Sequence, residues 1–180
     1  MMDDSDSTEH GVRSGDQTPD AMDEWVPHRG AMSLLDRVER VDEHGVVAWV
    51  TVPADGLFTT DGGVPAWVGI EYMAQAVAAW SGARARTGGG SPRIGFLLGS
   101  RRYVAHEPLF PTGAELRVSA VCELVGDNGL GMFDCRIEHA GRELAAARLS
   151  VFEPPEGTDA VAGGTSTPGA AQEPGTQGKG

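Results

Sequence analysis

Residues 25–152 predict an α+β fold in which a curved antiparallel sheet wraps around one long central helix. Three observations carry that expectation. Only PAWVGIEYMAQAVAAWSGARAR, starting at Pro65, has the length and composition of a long helix, and the segments on either side are short runs separated by turn residues. The order is a hairpin, the helix, then three or four strands, with none of the strand–helix–strand repetition that builds a doubly wound sheet. The helix is also apolar nearly all round. Trp67, Val68, Ile70, Met73, Ala74, Val77, Ala78 and Trp80 leave no wide polar stripe before Arg84 and Arg86, so most of its faces must be covered.

The elements follow in order. LLDRVERVD at 34–42 and VVAWVTV at 46–52 flank Glu43, His44 and Gly45, a short turn that makes a hairpin. LFTTDGG at 57–63 is a loop. Pro65 then stands where a first-turn proline belongs, and the helix is expected over residues 65–84, about 30 Å long. Its stop is the Thr87–Gly90 run, reinforced by Pro92. RIGFLLGSRRYVAH at 93–106 leads into a loop with Pro108 and Pro111. LRVSAVCELV, GLGMFDCRIEHA and ELAAARLSVF, at 116–125, 129–140 and 143–152, then read as an antiparallel meander.

Charge separates the ends from the middle. The chain has 180 residues and a net charge of −12, but residues 3–24 hold eight acids against Arg13, and residues 153–180 hold four acids against Lys179. Residues 25–152 are close to neutral, with fourteen acids and twelve arginines. Residues 1–24 and 153–180 read as disordered tails, and 25–152 as the single folded domain. A near-neutral core with acidic ends argues against nucleic-acid binding, which needs a basic surface opposite the phosphates. Glu71 and Gln75 interrupt the only long apolar stretch, and the N-terminus is acidic where a secretory signal is basic. The expectation is a cytoplasmic protein without a membrane span. Cys122 and Cys135 have no clustered partners, so they read as small buried side chains and no metal is expected. The glycines at 88–90 follow a helix instead of opening one, so they make no phosphate cradle, and no cofactor is expected.

Chemistry concentrates on the helix. From Val64 to Ala79 only Glu71 and Gln75 are strongly polar, and at i and i+4 they share a face. A carboxyl there should be partly desolvated with a raised pKa, which suits a general acid near neutral pH. The plainer alternative is that an arginine or local hydrogen bonds simply satisfy Glu71. Early-turn amides near Trp67, Val68 and Gly69 could hold a carbonyl oxygen, with no side chain on Gly69 to block it. For a base, His28 in VPHRG and His106 in VAHEP are candidates. His10 and His44 read as solvated, and His139 ends a strand. Arg101 and Arg102 are adjacent and, on a regular strand, face opposite ways.

Three blocks carry a resemblance: PHRGAMSLLDR at 27–37, VPAWVGIEYMAQA at 64–76 and SRRYVAHEPLFPTGAEL at 100–116. In this order they resemble the 3-hydroxyacyl-[acyl carrier protein] dehydratases of the hotdog fold. More narrowly, residues 25–152 resemble the divergent dehydratase-like subunits of aryl polyene and highly reducing type II polyketide systems. The resemblance implies a bent sheet around the helix, two such units side by side, and an acyl chain threaded near their boundary. Glu71 matches the family's helix acid and Gln75 its glutamine, while Gly69, Trp67 and Asp61 fall where substrate is bound. In the family reaction a histidine removes the C2 proton and the acid protonates the departing C3 hydroxyl, giving a trans-2-enoyl thioester and water. The implied partners are an acyl carrier protein bearing a phosphopantetheine-linked substrate, docked through arginines such as Arg29, Arg101 and Arg102, and a second hotdog subunit.

One departure matters. Family enzymes carry the base in a Gly-His-Phe-Pro loop before the helix, whereas Leu57 to Val64 contains no histidine. His28 belongs to a different block. Three readings follow: a half-site in which Glu71 works with a histidine of a second hotdog chain, forming a heterodimer; a self-sufficient dehydratase or acyl thioesterase using Glu71 or Asp61; or a noncatalytic partner in a dehydratase heterodimer.

Overall fold

A computed structural model describes residues 32–89 and 95–154. Its elements are strands β1 (Arg37–Asp42), β2 (Gly45–Thr51) and β3 (Gly63–Pro65), a 3₁₀ turn (Ala66–Val68), helix α1 (Gly69–Thr87), and strands β4 (Phe96–Ala105), β5 (Leu109–Pro111), β6 (Glu115–Val125), β7 (Leu130–His139) and β8 (Arg142–Phe152). Six strands form one antiparallel sheet in the order β1-β2-β6-β7-β8-β4, with α1 packed on its inner face. This is the hotdog architecture that the sequence predicts.

Side-chain size along the sheet explains how the helix sits so close. The registers line up Ala48, Val118, Ile137 and Ala145 in one inward row, and Val46, Ala120, Cys135 and Ala147 in the next. All eight are buried. The alanines and Cys135 leave room for the helix, and Met73, Ala76 and Val77 of α1 are buried with them in one core. Phe133 closes one end, edge-on to Trp80 with ring centroids 5.2 Å apart, and the Trp80 indole N–H donates to the Asp42 carbonyl at 2.8 Å. Burial pushes the Cys135 thiol up, and that of Cys122 as well; both are free, Cys135 buried as the sequence leads one to expect and Cys122 only half-buried.

The outward rows are charged. Arg117 pairs with Glu138 across β6 and β7 at 2.7 Å, and Arg136 lies between Asp134 and Glu143, so this face is solvated. Bulges at Val38/Arg40, Leu97/Gly99, Arg101/Val104, Cys122/Leu124 and Ile137/Glu138 supply the curl.

Two features differ from expectation. The helical segment opens with the 3₁₀ turn, and α1 runs to Thr87, three residues beyond the expected end. Arg84 and Arg86 in its last turn suit the helix dipole. Residues 63–65 and 109–111 pair as a two-stranded ribbon where loops are expected, and Pro65, expected as the first helical residue, is the last residue of β3. Gly63 makes that pairing possible: its φ is +152°, and a Cβ there would lie 2.0 Å from the Phe110 carbonyl oxygen. Among the described residues no helix is long and apolar enough to cross a membrane.

Candidate active site

Gln75 organises the site. It is the buried polar side chain of the core, with no exposed surface, and a primary amide in such a place must find partners for its oxygen and both N–H groups. Its Nε2 donates to the Met32 carbonyl at 2.7 Å and to Glu71 Oε1 at 2.9 Å, and its Oε1 accepts from the Leu34 amide at 2.9 Å. One side chain therefore ties the segment entering β1 to the helix and to the carboxylate one turn earlier. The i, i+4 relation read from the sequence is thus a direct hydrogen bond.

Glu71 is half-buried. It lies on the stripe of α1 that the sheet leaves uncovered, with Ile70, Ala74 and Ala78 also half-buried and Trp67 at its start 62% exposed. Trp67 is held edge-on by Phe58, with ring centroids 5.8 Å apart, and Leu57 beside Phe58 is exposed as well. An apolar surface with one carboxylate set into it runs along the helix.

The start of α1 is built tightly. The Ala66 amide donates to the Pro108 carbonyl at 2.9 Å, and N–H groups at the end of the turn donate to the Ala66 and Trp67 carbonyls. Gly69 is buried, and a Cβ on it would lie 2.6 Å from Tyr103 Oη, 2.9 Å from Ile137 Cδ1 and 3.1 Å from Phe110 Cζ. The space left by its missing side chain is filled from within the protein, which differs from the open approach expected there. Tyr103 donates its hydroxyl to the Ala66 carbonyl. Burial raises the Tyr103 phenol to about 12, and burial foremost does the same for Tyr72, so both stay protonated at neutral pH.

The other residues singled out from the sequence are spread more widely. Asp61 is exposed in the turn that Thr60 and Gly63 close by paired backbone hydrogen bonds of 2.8 and 3.1 Å. Arg101 and Arg102 are both exposed on β4, and the strict alternation expected of them is broken there because Arg102 has φ +58° beside a bulge. His106 lies 3.3 Å from Glu143, His139 Nδ1 lies 2.9 Å from the Glu115 carbonyl, and His44 lies beside Glu43 in the exposed β1–β2 turn. His28 and Arg29 lie outside the described residues. Nothing in the sequence marks Phe58, and the one signal for Tyr103 is an aromatic residue following two arginines in a strand.

Among the described residues, strand β4 forms one edge of the main sheet and pairs only with β8 within it. Phe96, Leu97, Leu98 and Val104 on it are exposed, an unusual composition for an unprotected edge.

Comparison with known proteins fits this geometry. The ApeP-like family, described as ApeP dehydratase, matches residues 20–162. A chain of the dehydratase heterocomplex ApeI:P from Xenorhabdus doucetiae is 33% identical, with a TM-score of 0.70 over 77% of this chain and 93% of its own. A hypothetical thioesterase protein with coenzyme A from Streptococcus pneumoniae TIGR4 is 15% identical, with a TM-score of 0.53 over 65% of this chain and 84% of its own. S. sahachiroi AziG is 18% identical at the same score, over 68% and 92%. At those identities the last two share the fold alone. No curated protein matches the chain. A hotdog domain with a carboxylate on the open stripe of its helix, matched along most of its length, belongs to the ApeP-like family of dehydratases.

Proposed function

We propose that this chain is one subunit of a two-chain hotdog dehydratase acting in the cytoplasm on 3-hydroxyacyl groups carried by an acyl carrier protein, in polyene, polyketide or fatty-acid-like synthesis. The observation that carries the proposal is Glu71: a half-buried carboxylate, oriented by the buried Gln75 amide, on an apolar helix stripe left open by the chain's own sheet. In this reading the acyl chain lies along that stripe past Trp67, and its thioester rests at the exposed side of the turn that precedes the buried Gly69, with Asp61 at the approach. A base removes the C2 proton. Electrons of that C–H bond form the C2–C3 double bond, the C3–O bond breaks, and Glu71 gives its proton to the departing hydroxyl, releasing water and a trans-2-enoyl thioester.

The base is a histidine. His28 precedes Met32 by four residues, a span of at most about 14 Å of extended chain, and the Met32 carbonyl and Glu71 accept from the same Gln75 nitrogen. A histidine on the second subunit is the other source, in keeping with the ApeI:P heterocomplex to which the chain is similar. Arg29, Arg101 and Arg102 are the docking charges for an acidic carrier protein.

The partner adds to β4. An edge strand with exposed Phe96, Leu97 and Leu98 offers both unpaired backbone groups and apolar area. Replacing Leu98, 59% exposed, by lysine is expected to weaken subunit association at least about ten-fold while leaving the circular dichroism of the chain unchanged. Calorimetric titration of one subunit into the other measures it, and undiminished affinity would place the interface elsewhere.

A second reading has its own support. The Leu57–Val64 loop carries no histidine, which favours a subunit that shapes and steadies a site completed by its partner, without chemistry of its own. Water loss from a 3-hydroxyacyl carrier protein, followed with this chain alone, with the partner alone and with both, tests the proposal. Activity only with both supports it, and full activity of the partner alone discards it.

A further inference from the structure

Strand β4 reaches the helix start through Tyr103. The strand is otherwise exposed along its length, yet Tyr103 turns inward at the bulge between Arg101 and Val104. The turn inward requires Arg102 to hold φ +58°, a left-handed conformation that a side chain adopts at a cost. What the detour gains is specific. The Tyr103 hydroxyl reaches the Ala66 carbonyl in the 3₁₀ turn, and its oxygen occupies the space that a Cβ on Gly69 would need. Glu71 follows Gly69 by two residues on the same rigid helix.

We propose that Tyr103 is a positioning residue for the dehydration site, transmitting the position of the edge strand β4 to the turn that starts α1 and so to Glu71. This rests on the reading of β4 as the partner-binding edge and of Glu71 as the acid. A strand added to β4 fixes the backbone on either side of Tyr103, and its hydroxyl then fixes Ala66. The distance between Glu71 and any group supplied by the partner is thereby set through a phenol and a single hydrogen bond. Gly69 is the other half of the device, since any side chain there would displace the phenol. The hydroxyl takes no part in bond making.

The Tyr103→Phe variant removes the hydroxyl and keeps the ring. In the assembled two-chain complex, with a 3-hydroxyoctanoyl-charged acyl carrier protein as substrate, kcat is expected to fall about ten-fold, the worth of one hydrogen bond in the barrier. KM and subunit affinity should stay within about two-fold. Amide hydrogen exchange supplies a readout independent of turnover: partner addition should slow exchange at residues 66–71 in the wild type and not in Tyr103→Phe. An unchanged kcat, a loss matched by equal losses of affinity and melting temperature, or equal slowing of exchange in both proteins would overturn the proposal. A wild-type complex that releases no water removes the dehydratase reading instead, and the exchange comparison still decides whether β4 and the helix start are linked.

Discussion

Glu71→Gln is expected to cut water loss by the assembled complex roughly 100- to 10,000-fold, the range of a positioned general acid, and to leave its melting temperature unchanged. The two expectations come from the same geometry. A glutamine at 71 keeps the shape and still presents a carbonyl oxygen to Gln75 Nε2, which donates to Glu71 Oε1 at 2.9 Å, so this bond survives the substitution. What disappears is the exchangeable carboxyl proton that, in the proposed reaction, goes to the leaving hydroxyl. The rate of enoyl-thioester formation at saturating substrate reads the effect. Activity kept within a few-fold of wild type would remove Glu71 from the chemistry and leave the steadying-subunit reading.

Gln75→Met should unfold the protein more easily, by about 2–4 kcal/mol. The side chains are similar in volume, so little cavity opens. The loss is of three hydrogen bonds at 2.7–2.9 Å, and it leaves the Met32 carbonyl and the Leu34 amide without that partner, each a cost of about 1–3 kcal/mol where water cannot reach. For a chain of this size that corresponds to a melting temperature about 5–10 °C lower. Turnover should fall too, because Glu71 loses the group that aims it. A melting temperature equal to wild type would mean that the entry to β1 is held by other contacts. Stability lost with kcat unchanged would confine Gln75 to structure.

Much of this architecture was open to sequence reasoning, and the exceptions have physical causes. The helix, the hairpin and the meander announce themselves because period and punctuation are local: Pro65 before the helix, glycines after it, and turn residues between runs of alternating burial. The β3–β5 ribbon does not, because three-residue strands have no period to detect, and Gly63 reads as a loop glycine until Phe110 is brought against it. The β4 bulges are equally silent, since nothing in RRY marks the arginine that takes a positive φ. Within the site, the Glu71–Gln75 relation is a matter of helical spacing and is legible. The bonds from Gln75 to Met32 and Leu34 span 43 and 41 residues of chain and depend on how the entry to β1 crosses the helix. The missing histidine before Pro65 is visible in the sequence, whereas the open stripe of α1 emerges only when the sheet's coverage is known.

Under the proposed pairing through β4, the exposed edge also bears on how the two chains are made. Phe96, Leu97 and Leu98 stand exposed beside unpaired backbone groups, which is the surface through which strands add to one another without limit. A copy synthesised in excess of its partner keeps that surface open for as long as it waits, and self-addition competes with correct pairing in proportion to the square of the surplus. Under that pairing, a balanced supply of the two chains follows from the shape of this edge. Expression of this chain alone should leave a larger share of it insoluble than co-expression with the partner does, with the remaining soluble fraction competent to pair.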